Sequence, residues 1–361
     1  MDLYYYTNVE TMRCILQNAN IYATNLRYMN DAEEYANGVS ELREIFNENQ
    51  RQVLITEAML QGVLDNEVTS YSISFSEAGD LLSQWSMYAG ESGVSLRMRF
   101  TGKEKYSVYL DNGKTGAEER QERSELKEKL QVKKVYYCTK SAMEEAKYRV
   151  VADEIWNAAT KETESKLADG RNAGQTDIAD EYPALWKRMA PFVKRVEFKA
   201  EAEQRLVFNT AELKQAVRID YRNSRNVLKP YLDIECKNGW PICEIMVGPG
   251  FNQDVVFQSI LHFLNHARLK APVLNGRQYR RQCEDYFKLC GELPEDLRDI
   301  WKAFVPRFNQ KGVDYYRLFL ALRNDMLKDT AVDKNVKEQL RRRELTKTGI
   351  ILSRSRIPYI F

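Results

Sequence analysis

Histidine is almost absent from this chain: His262 and His266 are the only two among 361 residues. They stand at i and i+4 in QSILHFLNHARL, outside any HExxH pattern, and read as plain structural side chains on one helix face. Mechanisms that need an imidazole, Ser–His–Asp and Cys–His among them, are disfavoured. The six cysteines (Cys14, Cys138, Cys236, Cys243, Cys283, Cys290) make no CxxC pair, so a structural zinc site is not expected. Free thiols in a reducing cytoplasm account for them. No run of about 18 apolar residues occurs and no secretory signal precedes Leu3, which predicts a cytoplasmic chain without a membrane span. Glycine-rich phosphate loops are missing too, since Gly248-Pro249-Gly250 has neither GK[ST] nor GxGxxG beside it.

A large charge of one sign is also lacking. The net charge is +2, too little for a global field that draws in nucleic acid. It is unevenly spread, with 19 Lys+Arg against 12 Asp+Glu from Ala271 onward. That excess reads first as a solvated helical surface, with a nucleic-acid face or a subunit contact as alternatives.

What the chain has is ample apolar material, 43% of residues, and 21 tyrosines against 14 phenylalanines. Tyrosine packs by its ring while its hydroxyl seeks a partner, which suits the half-buried walls of a cleft. Thr7-x-x-Glu10 reads as a capping box ahead of Met12, Ile15 and Leu16, so a strand at Leu3–Tyr6 should lead into a helix ending near Asn18. Period-2 patterns predict strands at Ser70–Ser76, Gly93–Phe100, Val132–Cys138, Glu201–Phe208, Val217–Tyr221, Leu232–Glu235, Cys243–Val247 and Gly349–Ser353. Helices are expected over Ala32–Asn47, Glu57–Leu64, Asp80–Tyr88, Gly116–Leu130, Met143–Leu167, Pro183–Phe192 and most of 253–345. The expected fold class is α+β: a mixed-sheet core over 1–252 plus 346–361, with a helical insertion at 253–345.

Seven short segments couple polar residues to apolar runs: LYYYTN (3–8), TNLRYMNDAEE (24–34), SFSE (74–77), QWSMYAGESGVSL (84–96), EAEQR (201–205), VGPG (247–250) and SRSRIPY (353–359). In this order they resemble the bacterial family called "domain of unknown function 2971". The resemblance covers Leu3 to about Phe251 and Gly349–Tyr359. The chain departs from it at Tyr5 and Tyr6, where relatives carry His or Arg, and at Ala32 and Glu33 after Asn30-Asp31.

The family's pattern is in turn similar, more remotely, to that of ADP-ribosyltransferases. That similarity implies a split mixed sheet and NAD as a substrate, with no metal. Cleaving the nicotinamide–ribose bond builds positive charge at the anomeric carbon, which a carboxylate can stabilise. It implies Tyr6 and Thr7 beside the ribose, with Asn25, Arg27, Asn30 and Asp31 in a loop near the diphosphate. Arg27 would hold phosphate oxygens. Ser74 and Ser76 lie on the second strand, and Trp85 and Tyr88 wall the pocket. Glu203 is the expected catalytic carboxylate, Glu201 positions the acceptor and Arg205 holds both.

Bland readings stand beside these: a helix cap at Thr7, core packing for Trp85, an exposed salt-bridged strand face for Glu201, Glu203 and Arg205. The functional expectation is an NAD-consuming toxin or anti-phage effector acting on a macromolecular acceptor. Nucleic acid at the basic C-terminal helices is one such acceptor; a homo-oligomer or a partner protein is left open. The alternatives are a metal-dependent nuclease using Asp31, Glu201 and Glu203, which lacks the lysine several nuclease folds place just after the carboxylate pair, and a non-catalytic nucleotide- or peptide-binding scaffold.

Overall fold

The computed structural model describes residues 1–29, 34–48, 69–90, 93–111, 122–126, 130–169, 188–213, 216–224, 226–270, 274–290, 305–309, 314–330 and 332–357. The N-terminal half contains β1 (Asp2–Asn8), α1 (Val9–Asn18), β2 (Asn20–Asn25), α2 (Glu34–Glu48), β3 (Ser70–Ser76), β4 (Gly93–Arg99) and β5 (Tyr106–Tyr109). Next come β6 (Arg123–Glu125), β7 (Lys133–Lys134), β8 (Tyr136–Tyr137), α3 (Glu145–Asp169), β9 (Val193–Lys194), β10 (Glu203–Asn209), β11 (Asp220–Ser224) and β12 (Val227–Cys236). The chain closes with β13 (Ile242–Val247), α4 (Gln253–His266), α5 (Gly276–Cys290), α6 (Tyr315–Lys328), α7 (Lys334–Arg342), β14 (Glu344–Leu345) and β15 (Ile351–Arg354). The protein is α+β, with parallel and antiparallel strand pairs.

By compactness it divides into two units. One comprises Met1–Asn20, Glu77–Glu104 and Cys236–Phe361, the other Ile21–Ser76 and Lys105–Glu235. The described helices between 253 and 345 thus belong to the unit that holds β1 and β4.

In the first unit the strands lie in the order β14-β15-β13-β4-β1. β15 runs parallel to β13, and the other neighbours are antiparallel. The apolar alternation of β4 predicts one wet face. Instead both faces are covered: Val94, Leu96 and Met98 on one side, Ser95 and Arg97 on the other, all buried. α1 buries Met12, Ile15 and Leu16 as the 3.6 period demands. Its cap is Asn8, not Thr7. The Asn8 side chain accepts from Thr11 N–H at 2.7 Å, while Thr7 pairs with Val94 inside the β1–β4 ladder and Glu10 turns to Arg13. On α5, α6 and α7 the residues Tyr279, Tyr286, Phe287, Phe319 and Leu340 form a core with Leu345 and Ile351 of the closing strands.

In the second unit β10 pairs antiparallel with β3 along its whole length, and β7 flanks β10 at Gln204 and Arg205. α2 and α3 bury Val39, Leu42, Ile45, Tyr148, Ile155 and Trp156 together with Leu26 and Val193. Where a charged helix is expected over 116–130, the described stretch Arg123–Glu125 is a strand paired with β5. Partners outside the segment decide this. Arg123 lies 2.8 Å from Asp233, 3.3 Å from Glu235 and 3.7 Å above the Tyr109 ring, contacts a helical turn would withdraw. The strand expected at 132–138 is broken into β7 and β8. The expected helix at Glu57–Leu64 lies outside the described residues.

Candidate functional site

β10 does not begin at Glu201, as alternation suggests. Val196–Glu201 is a 3-10 turn, Ala202 takes a left-handed backbone (φ 44°), and the strand starts at Glu203. This kink lets Glu201 and Glu203 converge on one point although only Glu203 belongs to the ladder. Across the ladder Ser76 faces Glu203 and Ser74 faces Arg205. The Ser76 hydroxyl donates to the Glu201 carbonyl at 2.8 Å, tying the turn to β3.

Five charged side chains meet there. Lys194 Nζ, from β9, donates to Glu201 at 2.7 Å and Glu203 at 3.1 Å and lies 3.3 Å from Glu34. Arg205 grips both Glu203 oxygens, through Nε at 2.7 Å and Nη2 at 2.9 Å. It also donates to the Pro191 carbonyl at 2.7 Å and to Glu34. Tyr137 Oη accepts the Glu203 N–H at 2.6 Å. All five charged groups are buried, Arg205 to 1% exposure. The expectation of an exposed strand face is therefore overturned.

Three carboxylates share two cations, and the environment separates the Glu201/Glu203 pair. Burial pushes Glu203 up, but the Arg205 and Lys194 charges and the Arg205 hydrogen bonds outweigh it and hold the carboxyl at about 2. For Glu201 burial wins: Lys194 draws it down, Glu203 and Glu34 push it up, and it ends above the ordinary value. Two carboxylates pushed in opposite directions by their surroundings form the kind of pair in which identical groups take different roles.

Of the other expected site residues, Asn25 is buried and caps the Leu26–Tyr28 turn through Arg27 N–H, while Arg27 is exposed. Asn30 and Asp31 lie outside the described residues. Tyr6, Thr7, Trp85 and Tyr88 belong to the first unit. There the Tyr6 hydroxyl donates to the Ala78 carbonyl at 2.7 Å and accepts from Leu81 N–H at 3.1 Å. Its ring meets Trp85 edge-on at 4.8 Å, and Trp85 Nε1 donates to Asp80 at 2.8 Å. Trp85–Ala89 is a π-turn, wider than an α-turn, so the i,i+3 spacing does not bring Tyr88 back to the face of Trp85. Trp85 is 3% exposed and Tyr88 39%. Gly248 has a packing reason: a Cβ there would sit 2.8 Å from the Trp85 ring.

Lys194, Glu34 and Tyr137 escaped the sequence reading. Glu34 is the final residue of the TNLRYMNDAEE segment, so its signal was present. Lys194 lies in VKRVEF, where nothing local marks it. The lysine missing beside the carboxylate pair is thus supplied by another strand, yet among the described residues no three metal-ligating side chains are placed to hold an ion. His262 and His266 are exposed and stack at 4.3 Å. Also among the described residues, no helix is long and apolar enough to cross a membrane. Comparison with protein-family models, with curated proteins and with solved structures returned no match.

Proposed function

We propose that the Glu201–Glu203 site cleaves the nicotinamide–ribose bond of NAD and passes the ADP-ribosyl group to water or to a macromolecular acceptor. The fold that goes with this reading is a split sheet of ADP-ribosyltransferase type, with β3 and β10 as its site-bearing strands. One observation carries it: two carboxylates of an E-x-E pair converge on Lys194 with pKa values pushed in opposite directions. As the C–N bond breaks, its electron pair leaves with nicotinamide and positive charge grows on the ribose. Ionised Glu203 stabilises that charge. Glu201, the stronger base of the pair, takes the proton of the incoming hydroxyl. Ser76 stands opposite Glu203 and Ser74 opposite Arg205 in the ladder, suitably placed for ribose or amide contacts.

A second reading is favoured by the Arg205 fork, which engages both Glu203 oxygens: the cluster then serves only to hold the second unit together. The experiment follows free nicotinamide from NAD, with EDTA present, in wild type, Glu203→Gln and Glu201→Gln, alongside each variant's thermal melt. The expected result is release by wild type and a loss of about 100-fold or more in Glu203→Gln in a protein that still melts cooperatively. No release by folded wild type with RNA, DNA or protein as acceptor overturns the proposal.

A further inference from the structure

The two histidines of the chain take no part in its core. On α4 the buried side is Phe257, Ile260 and Leu264. His262 and His266 fall on the opposite side of the helix by the 3.6 period, and both are exposed. Residues four apart are neighbours on a helix surface, and here the rings stack with centroids 4.3 Å apart and 20° between their planes. Apart from that stacking and one hydrogen bond, neither ring is engaged by a hydrogen bond or an ion pair among the described residues.

The hydrogen bond is the informative contact. His266 Nδ1 lies 2.8 Å from the His262 carbonyl oxygen. A carbonyl only accepts, so Nδ1 carries the proton and donates, and in the neutral ring Nε2 keeps the lone pair. Histidines that hold metals are set in this way, one ring nitrogen donating to a backbone carbonyl and the other left for the ion. The helix end beneath the pair is itself tied down. Asn265, between the two histidines, accepts the Lys347 N–H at 3.0 Å, and the Lys270 N–H donates to the Leu16 carbonyl at 2.7 Å. His266 closes α4, and the C-terminal end of a helix carries partial negative charge. Arg268, Lys270 and Lys347 stand near this end and are all basic, so an ion held here is held by coordination to nitrogen and not by a field of acids.

We propose that His262 and His266 chelate a late first-row divalent cation of the Ni²⁺, Cu²⁺ and Zn²⁺ group. Imidazole suits these ions, whereas Mg²⁺ and Ca²⁺ take oxygen ligands. His266 is the preset ligand, through Nε2. Stacked rings do not aim at one point, so His262, the ring without a hydrogen bond, turns about χ2, a broad torsion for histidine, to bring its own nitrogen to the ion. Water fills the remaining positions. Bridging residues four apart clamps the last turn of α4, the turn whose Asn265 holds the backbone at Lys347. The site lies within the first unit and draws on no residue of the Glu201–Glu203 cluster. NAD cleavage is expected to survive EDTA, so the two readings fail separately.

The test titrates the full, untagged chain with NiCl₂ by calorimetry, with MgCl₂ as control, in wild type, His262→Gln and His266→Gln. Both positions are exposed, so each variant should melt with wild type in EDTA. Wild type should take up Ni²⁺ and ignore Mg²⁺, and Ni²⁺ should raise its melting temperature by binding the folded state. Each variant should lose about tenfold or more in Ni²⁺ affinity, since a ligand counts for at least as much as the outer-shell partners whose loss costs 10–100-fold. Two histidines binding separately would instead halve the capacity of each variant and leave its affinity unchanged, which overturns the chelate. Thiols are the other soft ligands present. Five of the six cysteines are buried and Cys14 is partly exposed, and Ni²⁺ held there would persist in both variants. Wild-type affinity retained in both, or no Ni²⁺ uptake by wild type, likewise overturns the proposal.

Discussion

Glu41, on α2, is a half-buried carboxylate without the cations that surround Glu203. Burial first, then repulsion from Glu44, pushes its pKa from 4.5 to about 7, against a partly compensating Lys140 backbone N–H. The folded state therefore binds more protons than the unfolded one between those values, and stability falls as pH rises through that window. Glu41→Gln should melt with wild type near pH 4.5 and above it at pH 8. Water screens a half-buried group, so the gain is ~1 kcal/mol, a few degrees for a chain of this size. A melting difference that is flat with pH, or that grows toward acid, rules this account out. The same contrast explains what was legible at the main cluster. Glu201, Glu203 and Arg205 announce themselves as charges in a strand-like segment, whereas Lys194 acquires its meaning only when β9 brings it to them. The sequence also says nothing of burial, which turns an ordinary salt-bridged face into a site with two unlike carboxylates.

At the scale of elements, local periodicity marks the strands well where pairing follows it, as in β3 and β4. It fails where a single backbone angle intervenes. Ala202 is the clearest instance, since a left-handed alanine is what separates the 3-10 turn from β10 and aims Glu201 at Lys194. An L-residue in this conformation costs about 1–2 kcal/mol, while glycine loses about 0.4–1 kcal/mol more unfolded-chain entropy. Ala202→Gly should thus be neutral or stabilising by ~0.5 kcal/mol. Ala202→Val, β-branched, should lower the urea midpoint by more than ~1 kcal/mol equivalent. The opposite order of the two midpoints would mean that the turn is not held as described. β6 fails for another reason. Its charged sequence suits a helix, but Arg123 finds Asp233 and Glu235 far along the chain and Tyr109 on the neighbouring strand, and tertiary contacts override propensity.

For the whole molecule, the basic excess after Ala271 invites a reading as a surface for nucleic acid, but several of its arginines point inward. Arg323 donates to Tyr286 and Glu344, Arg343 is buried, and Arg354 lies 3.5 Å above the Phe257 ring. The same segment bears on how the chain is partitioned. Read from the sequence, 253–345 is an insertion, and an insertion is removable. In the structure Tyr279, Tyr286, Phe287 and Phe319 cover Leu345 and Ile351, both fully buried, on the strands that close the first unit's sheet. Burying each such aromatic is worth about 1.5–3 kcal/mol, about 6–12 kcal/mol for the four, which is as large as the roughly 5–15 kcal/mol by which whole domains are stable. Joining residue 275 to residue 343 should therefore unfold the first unit rather than trim it. Hydrogen exchange would read this directly, as lost protection across β1, β4 and β13, strands distant in sequence from the deletion. Retained protection in those three strands would show instead that the helices are an independent addition to a sheet that stands without them.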